Sequence, residues 1–214
     1  MKDIAIYGAG GFGCEVACLI DRINKETPTW NMIGFFDDVK SKGTEIHHFG
    51  KVLGNIDTLN LYSQELAIVV AIGNPNAVKS IVNAINNPNI HFPNLIHPNF
   101  YIADPLTFCI GKGNIIQGSC AVTCNVTLGD FNTLNGSICL GHDVKIGSFN
   151  SIMPAVRISG EVSIGNLNFF GVASIVLQQI KIGNNIKLGA GSVLMTKPKD
   201  NSLYMGNPAK IFKY

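Results

Sequence analysis

Large apolar residues recur at every sixth position through the second half of the chain. The repeat holds over fifteen consecutive steps, and glycine takes the next position at eight of them. A period of six matches neither a helix nor a long strand. It predicts short flat runs joined by turns, with three such runs to one triangular coil and each apolar side chain inside the prism. The apolar positions are Ile110, Ile116, Val122, Leu128, Leu134, Leu140, Ile146, Ile152, Ile158, Ile164, Phe170, Val176, Ile182, Leu188 and Leu194.

The same period predicts the corners and the length of this solenoid. Glycine or another small residue is expected at each corner, where the chain changes direction. Five coils stacked at the inter-strand spacing of about 4.8 Å make a rod of roughly 24 Å.

Residues 1 to about 95 follow a different pattern, in which short apolar runs alternate with segments of helical periodicity. The run at 66–73 is unbroken, as expected of a strand buried on both faces. Asn74 and Pro75 then favour the start of a helix. The alternation predicts a Rossmann-like βαβαβ unit with a parallel sheet. Its predicted strands are 4–7, 31–38 and 66–73, and its predicted helices are 14–23 and 77–85. Two domains are therefore predicted, an α/β domain at 1–95 and an all-β domain at 96–214.

The composition argues against a nucleic-acid-binding protein. Charged residues make up 14% of the 214 residues, against about 25% in typical domains. The net charge is +2, and the only arginines are Arg22 and Arg157. No basic stripe is present that could neutralise the phosphates of a nucleic-acid backbone.

The chain shows no secretory or membrane signal. The N-terminal residues lack a long apolar run with a cleavage site, and no stretch reaches about 18 consecutive apolar residues. We therefore expect a cytoplasmic protein without a membrane span, in which the six cysteines are reduced. The pairs Cys14/Cys18 and Cys120/Cys124 lack the C-x-x-C spacing of common zinc sites, which favours their interpretation as small apolar residues.

The six-residue repeat resembles the hexapeptide-repeat left-handed β-helix. Carbonic anhydrases of this fold need three histidines to hold zinc, whereas His142 is the only histidine between residues 110 and 199. No metal is therefore expected. The commonest use of the fold is acyl transfer by trimers that bind CoA between neighbouring prisms. The resemblance thus implies acetyl-CoA as cosubstrate and a homotrimer, although a β-solenoid can also be purely structural.

The length of one coil, three steps of the repeat, gives His142 definite neighbours. Gly160 is expected beside His142 on the next coil, and Cys124 on the previous one. A glycine there leaves room for a ligand and a backbone N–H that can bind a thioester oxygen as it gains negative charge. His142 is the third residue of its hexad and not an inward apolar position, so it is expected to face a groove. Asp143 follows directly, and a carboxylate near an imidazole can orient it.

Nearly the whole chain resembles the bacterial sugar acetyltransferases of the sialic acid O-acetyltransferase and UDP-4-amino-sugar N-acetyltransferase family. The resemblance lies in "YGAGGFG", "FFDD", "AIGNPNAVK", "LIHPNFYI", "GHDVKIG" and "YMGNPAK". It implies that His142 is the general base and that Asp143 supports it. It also implies that Asn135 lines the substrate pocket and that the backbone of Gly160 contacts acetyl-CoA.

The chain departs from the family pattern at two positions. Phe12 replaces a histidine of the glycine-rich loop that reaches the sugar-binding region, so the acceptor stays open. Ser151 replaces a histidine next to CoA. The residues assigned to the cofactor are Ser151, Gly160, Gly189, Ala190 and Lys210. The basic cluster that contains Lys210 could be a solvated tail or could pair with the CoA phosphates.

The glycine-rich loop also fits G-x-G-x-x-G between a strand and a helix. Asp37 and Asp38 follow Gly13 at close to the spacing that this fingerprint requires of its acidic residue. An NAD enzyme would need two mononucleotide halves, and only one precedes the repeats. One half suffices for a nucleotide-sugar, whose diphosphate can face the helix N-terminus. The glycines could instead serve only close helix–strand packing. The residues assigned to substrate binding are Gly8, Gly10, Gly11, Phe12, Gly13, Asp37, Asp38 and Asn135.

The sequence thus favours an acetyl-CoA-dependent acetyltransferase that acts on a nucleotide-activated, amino-bearing sugar. Three alternatives remain open at this point. They are a sugar O-acetyltransferase of the sialic acid type, a non-catalytic structural or sugar-binding β-solenoid, and an NAD-binding oxidoreductase.

Overall fold

The computed structural model describes residues 1–212 of the chain. They form two compact units, residues 1–98 and 99–212. The division falls between residues 98 and 99, whereas the sequence pattern places it between 95 and 96. Each unit has its own core. The first core lies between a sheet and helices, and the second lies inside a β-helix.

The first unit is a parallel sheet with helices. Its strand order is β3-β2-β1-β4-β5, and every neighbouring pair is parallel. β1 therefore lies at the centre, where the strand order reverses. The elements are β1 (Lys2–Tyr7), α1 (Gly11–Glu26), β2 (Trp30–Phe36), β3 (Val52–Gly54), α2 (Ile56–Asn60), β4 (Leu66–Val70), α3 (Pro75–Ala84) and β5 (Ile90–His91); β6 (Leu95–Ile96) follows.

The three predicted strands and two predicted helices are all present in this unit. β4 is buried along its whole length, which explains its unbroken apolar run. The side chain of Asn74 caps α3 by accepting hydrogen bonds from the N–H groups of Asn76 and Ala77, and Pro75 takes the first turn. The sequence pattern missed β3, α2 and β5, because two to five residues are too few to show a period.

The second unit is a parallel β-helix with three faces. Among residues 99–212, face 1 comprises β9 (Ile115–Ile116), β12 (Thr133–Leu134), β15 (Ser151–Ile152), β18 (Phe169–Phe170), β21 (Lys187–Leu188), β23 (Leu203–Gly206) and β24 (Ala209–Phe212). Face 2 comprises β7 (Tyr101–Ile102), β10 (Ala121–Val122), β13 (Cys139–Leu140), β16 (Arg157–Ile158), β19 (Ile175–Val176) and β22 (Val193–Leu194). Face 3 comprises β8 (Cys109–Ile110), β11 (Thr127–Leu128), β14 (Lys145–Ile146), β17 (Ser163–Ile164) and β20 (Lys181–Ile182).

The predicted register and core of the solenoid are confirmed. Strands on one face pair at an offset of three repeat steps, as Cys139 does with Arg157 and Leu140 with Ile158. Fourteen of the fifteen repeat positions are buried, and Ile110 is half-buried. The fold class, a Rossmann-like domain followed by a β-helix, is therefore as the sequence predicts.

The corners are built differently from the expectation that glycine supplies their conformation. A Cβ at Gly147 would lie 2.6 Å from the carbonyl oxygen of Gly165, so this glycine is required by the close approach of stacked coils. The left-handed backbone conformation occurs two residues later and is taken mostly by other residues, such as Phe149 at φ +59° and Leu167 at φ +63°, although Gly113 and Gly191 also take it. Glycine at position 147 thus marks where coils touch, whereas the left-handed turn does not require glycine.

A ladder of asparagines continues the register inside the corner after face 3. The side-chain oxygen of each of the first three accepts hydrogen bonds from the asparagine one coil on, at 2.8–3.1 Å. All four are at most 1% exposed. Because each buried amide is hydrogen-bonded, the ladder stabilises the stacking of coils at little desolvation cost. Its members are Asn114, Asn132, Asn150 and Asn168.

Candidate active site and nucleotide-binding loop

His142 lies on the turn after β13, between Cys124 and Gly160 on the neighbouring coils. A Cβ placed on Gly160 would lie 2.5 Å from Nε2 of His142 and 2.7 Å from its Cε1. The glycine therefore leaves the space that the imidazole fills. The predicted juxtaposition of His142 and Gly160 is present in the structure.

Asp143 holds one side of the imidazole. Its Oδ2 lies 2.8 Å from Nδ1 of His142, while the side chains of His142 and Asp143 are 56% and 47% exposed. Water screens a pair this exposed, so its main effect is on orientation. When Nδ1 donates to the carboxylate, Nε2 carries the lone pair and can accept a proton.

Asn125 extends this pair on the previous coil, and sequence reasoning missed it. Its Nδ2 donates to Oδ1 of Asp143 at 3.0 Å. The hydrogen bonds from His142 and from Asn125 lower the pKa of Asp143, so the carboxylate stays ionised and accepting. The signal was available, because position 125 lies exactly one coil before position 143.

The backbone N–H of Gly160 is free to bind a ligand. It has no hydrogen-bond acceptor among residues 1–212, and the residue is only half-buried. An N–H beside a general base is suited to an oxyanion that forms next to the reacting carbonyl carbon. The arrangement of base, orienting carboxylate and free donor fits acyl transfer.

The other predicted residues of the β-helix lie elsewhere in the chain. Asn135, Gly189 and Ala190 occupy the corner after face 1, whereas His142 occupies the corner after face 2. Lys210 is exposed in β24. Ser151 is 2% exposed in β15, so little of it is accessible to a cofactor in this chain. Their roles in cofactor or substrate binding stay predictions.

The glycine-rich loop connects β1 to α1 in the first unit. Gly8 has φ +110°, and a Cβ at Gly13 would lie 2.0 Å from the carbonyl oxygen of Gly8. Packing alone thus explains these two glycines. It does not explain Gly10 and Gly11, where a Cβ would meet nothing within 4 Å. Open space at these two positions fits the close approach of a ligand to the backbone.

The start of α1 is suited to a phosphate group. Gly10 is the N-cap residue, and no side chain caps the helix there. The N–H groups of the first turn are therefore left for water or an anion. Phe12 is half-buried on this turn.

The acidic end of β2 is tied to the loop by hydrogen bonds. Oδ2 of Asp37 accepts from the N–H of Ala9 at 2.8 Å. Partial burial opposes ionisation of Asp37, but the N–H donors of Ala9, Lys40 and Val39 outweigh burial and lower its pKa.

Asp38 lies beside a phenol from β1. It accepts from the hydroxyl of Tyr7 at 2.6 Å, and burial followed by this hydrogen bond raises the pKa of Tyr7. Asp37 and Asp38 thus shape the loop as well as being candidate ligand contacts.

Two clefts flank this network at the carboxyl ends of β1 and β2. Lys40 lines both and was not singled out from the sequence, because a lysine in a polar connection carries no pattern of its own. One cleft of about 320 Å³ is lined by Asp37, Asp38, Val39, Lys40, Ser41, Lys42, Gly54, Asn55 and Thr58. The other, of about 290 Å³, is lined by Ala9, Gly10, Gly11, Cys14, Lys40, Glu45, Ile46 and His47. Ligands of open α/β sheets bind at this edge.

In residues 1–212, no group of three or more His, Cys, Asp or Glu side chains could hold a metal ion. None of the helices in the same range is long and apolar enough to cross a membrane.

Comparison with known proteins supports both units. A protein-family profile, the PglD N-terminal domain, matches residues 3–85. No curated protein matches the chain significantly.

Solved structures match the chain over nearly its full length. The acetyltransferase domain of PglB from Neisseria gonorrhoeae, in complex with acetyl coenzyme A, is 29% identical with a TM-score of 0.88, and the match covers 99% of each chain. PerB from Caulobacter crescentus, in complex with CoA and GDP-perosamine, is 25% identical with a TM-score of 0.85, over 100% of this chain and 98% of that one. A point mutant of perosamine N-acetyltransferase from the same organism is 23% identical with a TM-score of 0.86 and the same coverage, which shows the fold alone.

Proposed function

We propose that the chain transfers the acetyl group of acetyl-CoA to an amino group on a nucleotide-activated sugar. The match of residues 3–85 to the PglD N-terminal domain and the full-length similarity to the PglB acetyltransferase domain support this function. The observation that carries the proposal is the constellation around His142, in which Asp143 orients the ring and Gly160 offers a free N–H. The acetyl-CoA and GDP-perosamine complexes of similar proteins support the two substrate classes.

The chemistry follows from the atoms at this site. The sugar amine attacks the carbonyl carbon of the thioester while Nε2 of His142 takes a proton from the nitrogen. The oxygen of the tetrahedral intermediate accepts a hydrogen bond from a backbone N–H, with that of Gly160 as the candidate donor. The C–S bond then breaks, and the protonated imidazole returns its proton to the CoA sulfur. Holding both substrates in place supplies much of the rate.

The experiment that tests this function measures thiol release from acetyl-CoA with a panel of amino- and hydroxy-sugar nucleotides. Release with an amino-sugar nucleotide supports the proposal, and release only with a hydroxyl acceptor supports the sialic acid type of O-acetylation. No release together with no CoA binding by calorimetry would indicate a structural solenoid. Nicotinamide binding without CoA binding would indicate an oxidoreductase.

The cytoplasmic location expected from the sequence stays a prediction.

We assign the nucleotide to the first unit, with Lys40 as a contact to its diphosphate. Lys40 is the cation shared by the two clefts that flank Gly10 and Gly11. A lysine beside the helix start adds a positive charge where the backbone already favours an anion.

Replacing Lys40 by alanine is expected to raise the KM for the nucleotide-sugar about 10-fold, as for loss of one charged hydrogen bond. The KM for acetyl-CoA should not change. Steady-state kinetics with each substrate varied in turn measures both. Lys25→Ala, which removes an exposed lysine from the last turn of α1, is the matched control. An equal rise in both variants would show that Lys40 makes no specific contact.

We propose that face 2 of the β-helix packs against a neighbouring subunit in a trimer. Its outward residues are mainly apolar, whereas those of face 3 are mainly polar. A large exposed apolar face usually marks a surface that packs against another protein chain. The outward residues of face 2 are Tyr101, Ala121, Cys139, Arg157, Ile175 and Val193, and those of face 3 are Cys109, Thr127, Lys145, Ser163 and Lys181.

A trimer would also account for the separation of the predicted cofactor residues. His142 and Gly160 lie at one corner of the coil, and Gly189 and Ala190 lie at another. A groove between neighbouring prisms would bring a corner of each subunit to the same CoA molecule. This proposal extends the homotrimer that the resemblance implies.

Placing a charge on face 2 by Ile175→Glu is expected to dissociate the trimer, because burying an unpaired carboxylate is costly. Sedimentation velocity should then show monomers, with acetyl transfer lost. Ser163→Glu introduces the same charge at the equivalent outward position of face 3 and should leave the trimer intact. A wild-type protein that sediments as a monomer would contradict the proposal.

A further inference from the structure

The turn that carries Asp143 repeats on neighbouring coils and forms a column of stacked polar residues. Its members are Asn125, Asp143, Glu161 and Gln179, with φ values of +56°, +59°, +60° and +63°. Side chains in this column pair across coils, an amide to a carboxylate. Asn125 donates to Asp143, and Gln179 lies 3.3 Å from the Glu161 carboxylate.

The pairing leaves Asp143 dependent on Asn125. Among residues 1–212 no hydrogen bond joins the carboxylates of Asp143 and Glu161, and each is paired with an amide on its far side. Asp143 therefore receives its side-chain hydrogen bonds from two groups only, Nδ2 of Asn125 on Oδ1 and Nδ1 of His142 on Oδ2. One oxygen is held by the previous coil, which directs the other toward the imidazole.

Asn125 is itself held by the coil before it. Its backbone N–H donates to Oγ1 of Thr107 at 2.8 Å. The hydroxyl of Thr107 donates to Oδ2 of Asp104, also at 2.8 Å. A continuous chain of hydrogen bonds thus runs from Asp104 through Thr107, Asn125 and Asp143 to His142.

We propose that Asn125 is a positioning residue, which fixes the Asp143 carboxylate so that Nδ1 of His142 carries the proton and Nε2 presents its lone pair beside Gly160. The positioning of Asp143 and His142 is inferred from the hydrogen bonds alone. Its consequence for catalysis rests on the function proposed above. A freely rotating carboxylate would leave the imidazole to sample both tautomers. The previous coil is thereby part of the active site although it touches no substrate.

The test reads the tautomer of His142 directly, by ¹⁵N NMR of protein with selectively labelled histidine at a pH where the imidazole is neutral. In wild type we expect the Nδ1–H tautomer. Asn125→Ala should shift the populations toward the Nε2–H form, and Asp143→Ala should do so at least as far. Asn125→Leu, which keeps the approximate size of the side chain without a charge and cannot donate, should act in the same direction.

The matched control is Asn185→Ala. Asn185 has φ +55° and donates through its side chain to Asn201 at 2.9 Å, so its replacement removes the same groups from the same backbone conformation at another corner. It should leave the His142 tautomer unchanged. In acetyl transfer, Asn125→Ala should lower kcat about 10-fold, the effect of one hydrogen bond to a charged group, with the KM for acetyl-CoA unchanged.

The possible results separate this inference from the proposed function. If Asn125→Ala leaves the tautomer of His142 unchanged while Asp143→Ala alters it, the positioning role is wrong. If Asn185→Ala alters the tautomer equally, the effect is structural, and the positioning role is again wrong. If the tautomer shifts as expected but the wild type transfers no acetyl group, the positioning role stands and the proposed function fails.

Discussion

Replacing His142 by alanine is expected to lower kcat for acetyl transfer by a factor of about 10² to 10⁴, the usual contribution of a general base. The amine would keep its proton as it attacks the thioester, because the variant lacks the imidazole whose Nε2 lies beside Gly160. Stability should change by less than about 0.5 kcal/mol, since His142 is an exposed side chain. Thiol release at saturating substrates and thermal unfolding measure the two quantities.

The control for this variant is Gln178→Ala. Residue 178 takes the same turn position two coils after His142 and is exposed, so its removal perturbs the turn but not the base. It should retain wild-type kcat and Tm. Wild-type kcat in His142→Ala would contradict the mechanism, and a similar loss in both variants would assign the effect to the turn and not to the imidazole.

The fold of the second unit was predictable because the same six-residue sequence pattern recurs along the whole solenoid. One step of the repeat predicts the next buried position. Three steps make one coil and predict the residue that stacks on the next coil, which places Gly160 beside His142. The same arithmetic reaches Asn125 from Asp143, but it says nothing about which polar neighbours hydrogen-bond. That depends on the direction of each side chain, which the left-handed turn sets.

The first unit was less predictable for a different reason. Its buried strands and capped helices show clear periods, whereas β3 and β5 are too short to show one and pair with strands distant in sequence, β2 and β4. The candidate nucleotide site was predictable only in part for the same reason. Gly10 and Asp37 belong to a recognisable motif, but Lys40 joins them only because the chain after β2 folds back along the clefts.

Glycine illustrates how one residue type serves two purposes in the repeat. At Gly147 a side chain would meet backbone of the next coil, namely the carbonyl oxygen of Gly165. At Gly160 the three atoms nearest to the new side chain would all belong to the imidazole of His142. The first glycine therefore preserves the fold, and the second preserves the site.

Replacing Gly160 by alanine is expected to lower kcat at least about 10²-fold, the loss that misplacing a catalytic group by about 1 Å can produce. The new methyl would lie 2.5 Å from Nε2 of His142, so the ring must move away from residue 160 and its N–H. Because that ring is the end of a flexible, exposed side chain, stability should fall by less than about 1 kcal/mol. Thiol release and thermal unfolding again measure the two effects.

Gly147→Ala is the matched control, since it adds the same methyl at a corner that carries none of the proposed site. Its Cβ would lie 2.6 Å from a backbone oxygen that cannot rotate away, so stability should fall by about 1–3 kcal/mol, while kcat per folded molecule stays near wild type. The two variants should thus give opposite results, one losing activity and the other losing stability. If Gly160→Ala kept its kcat with His142 displaced, the position of Nε2 would not limit the reaction, and the general-base mechanism would be wrong.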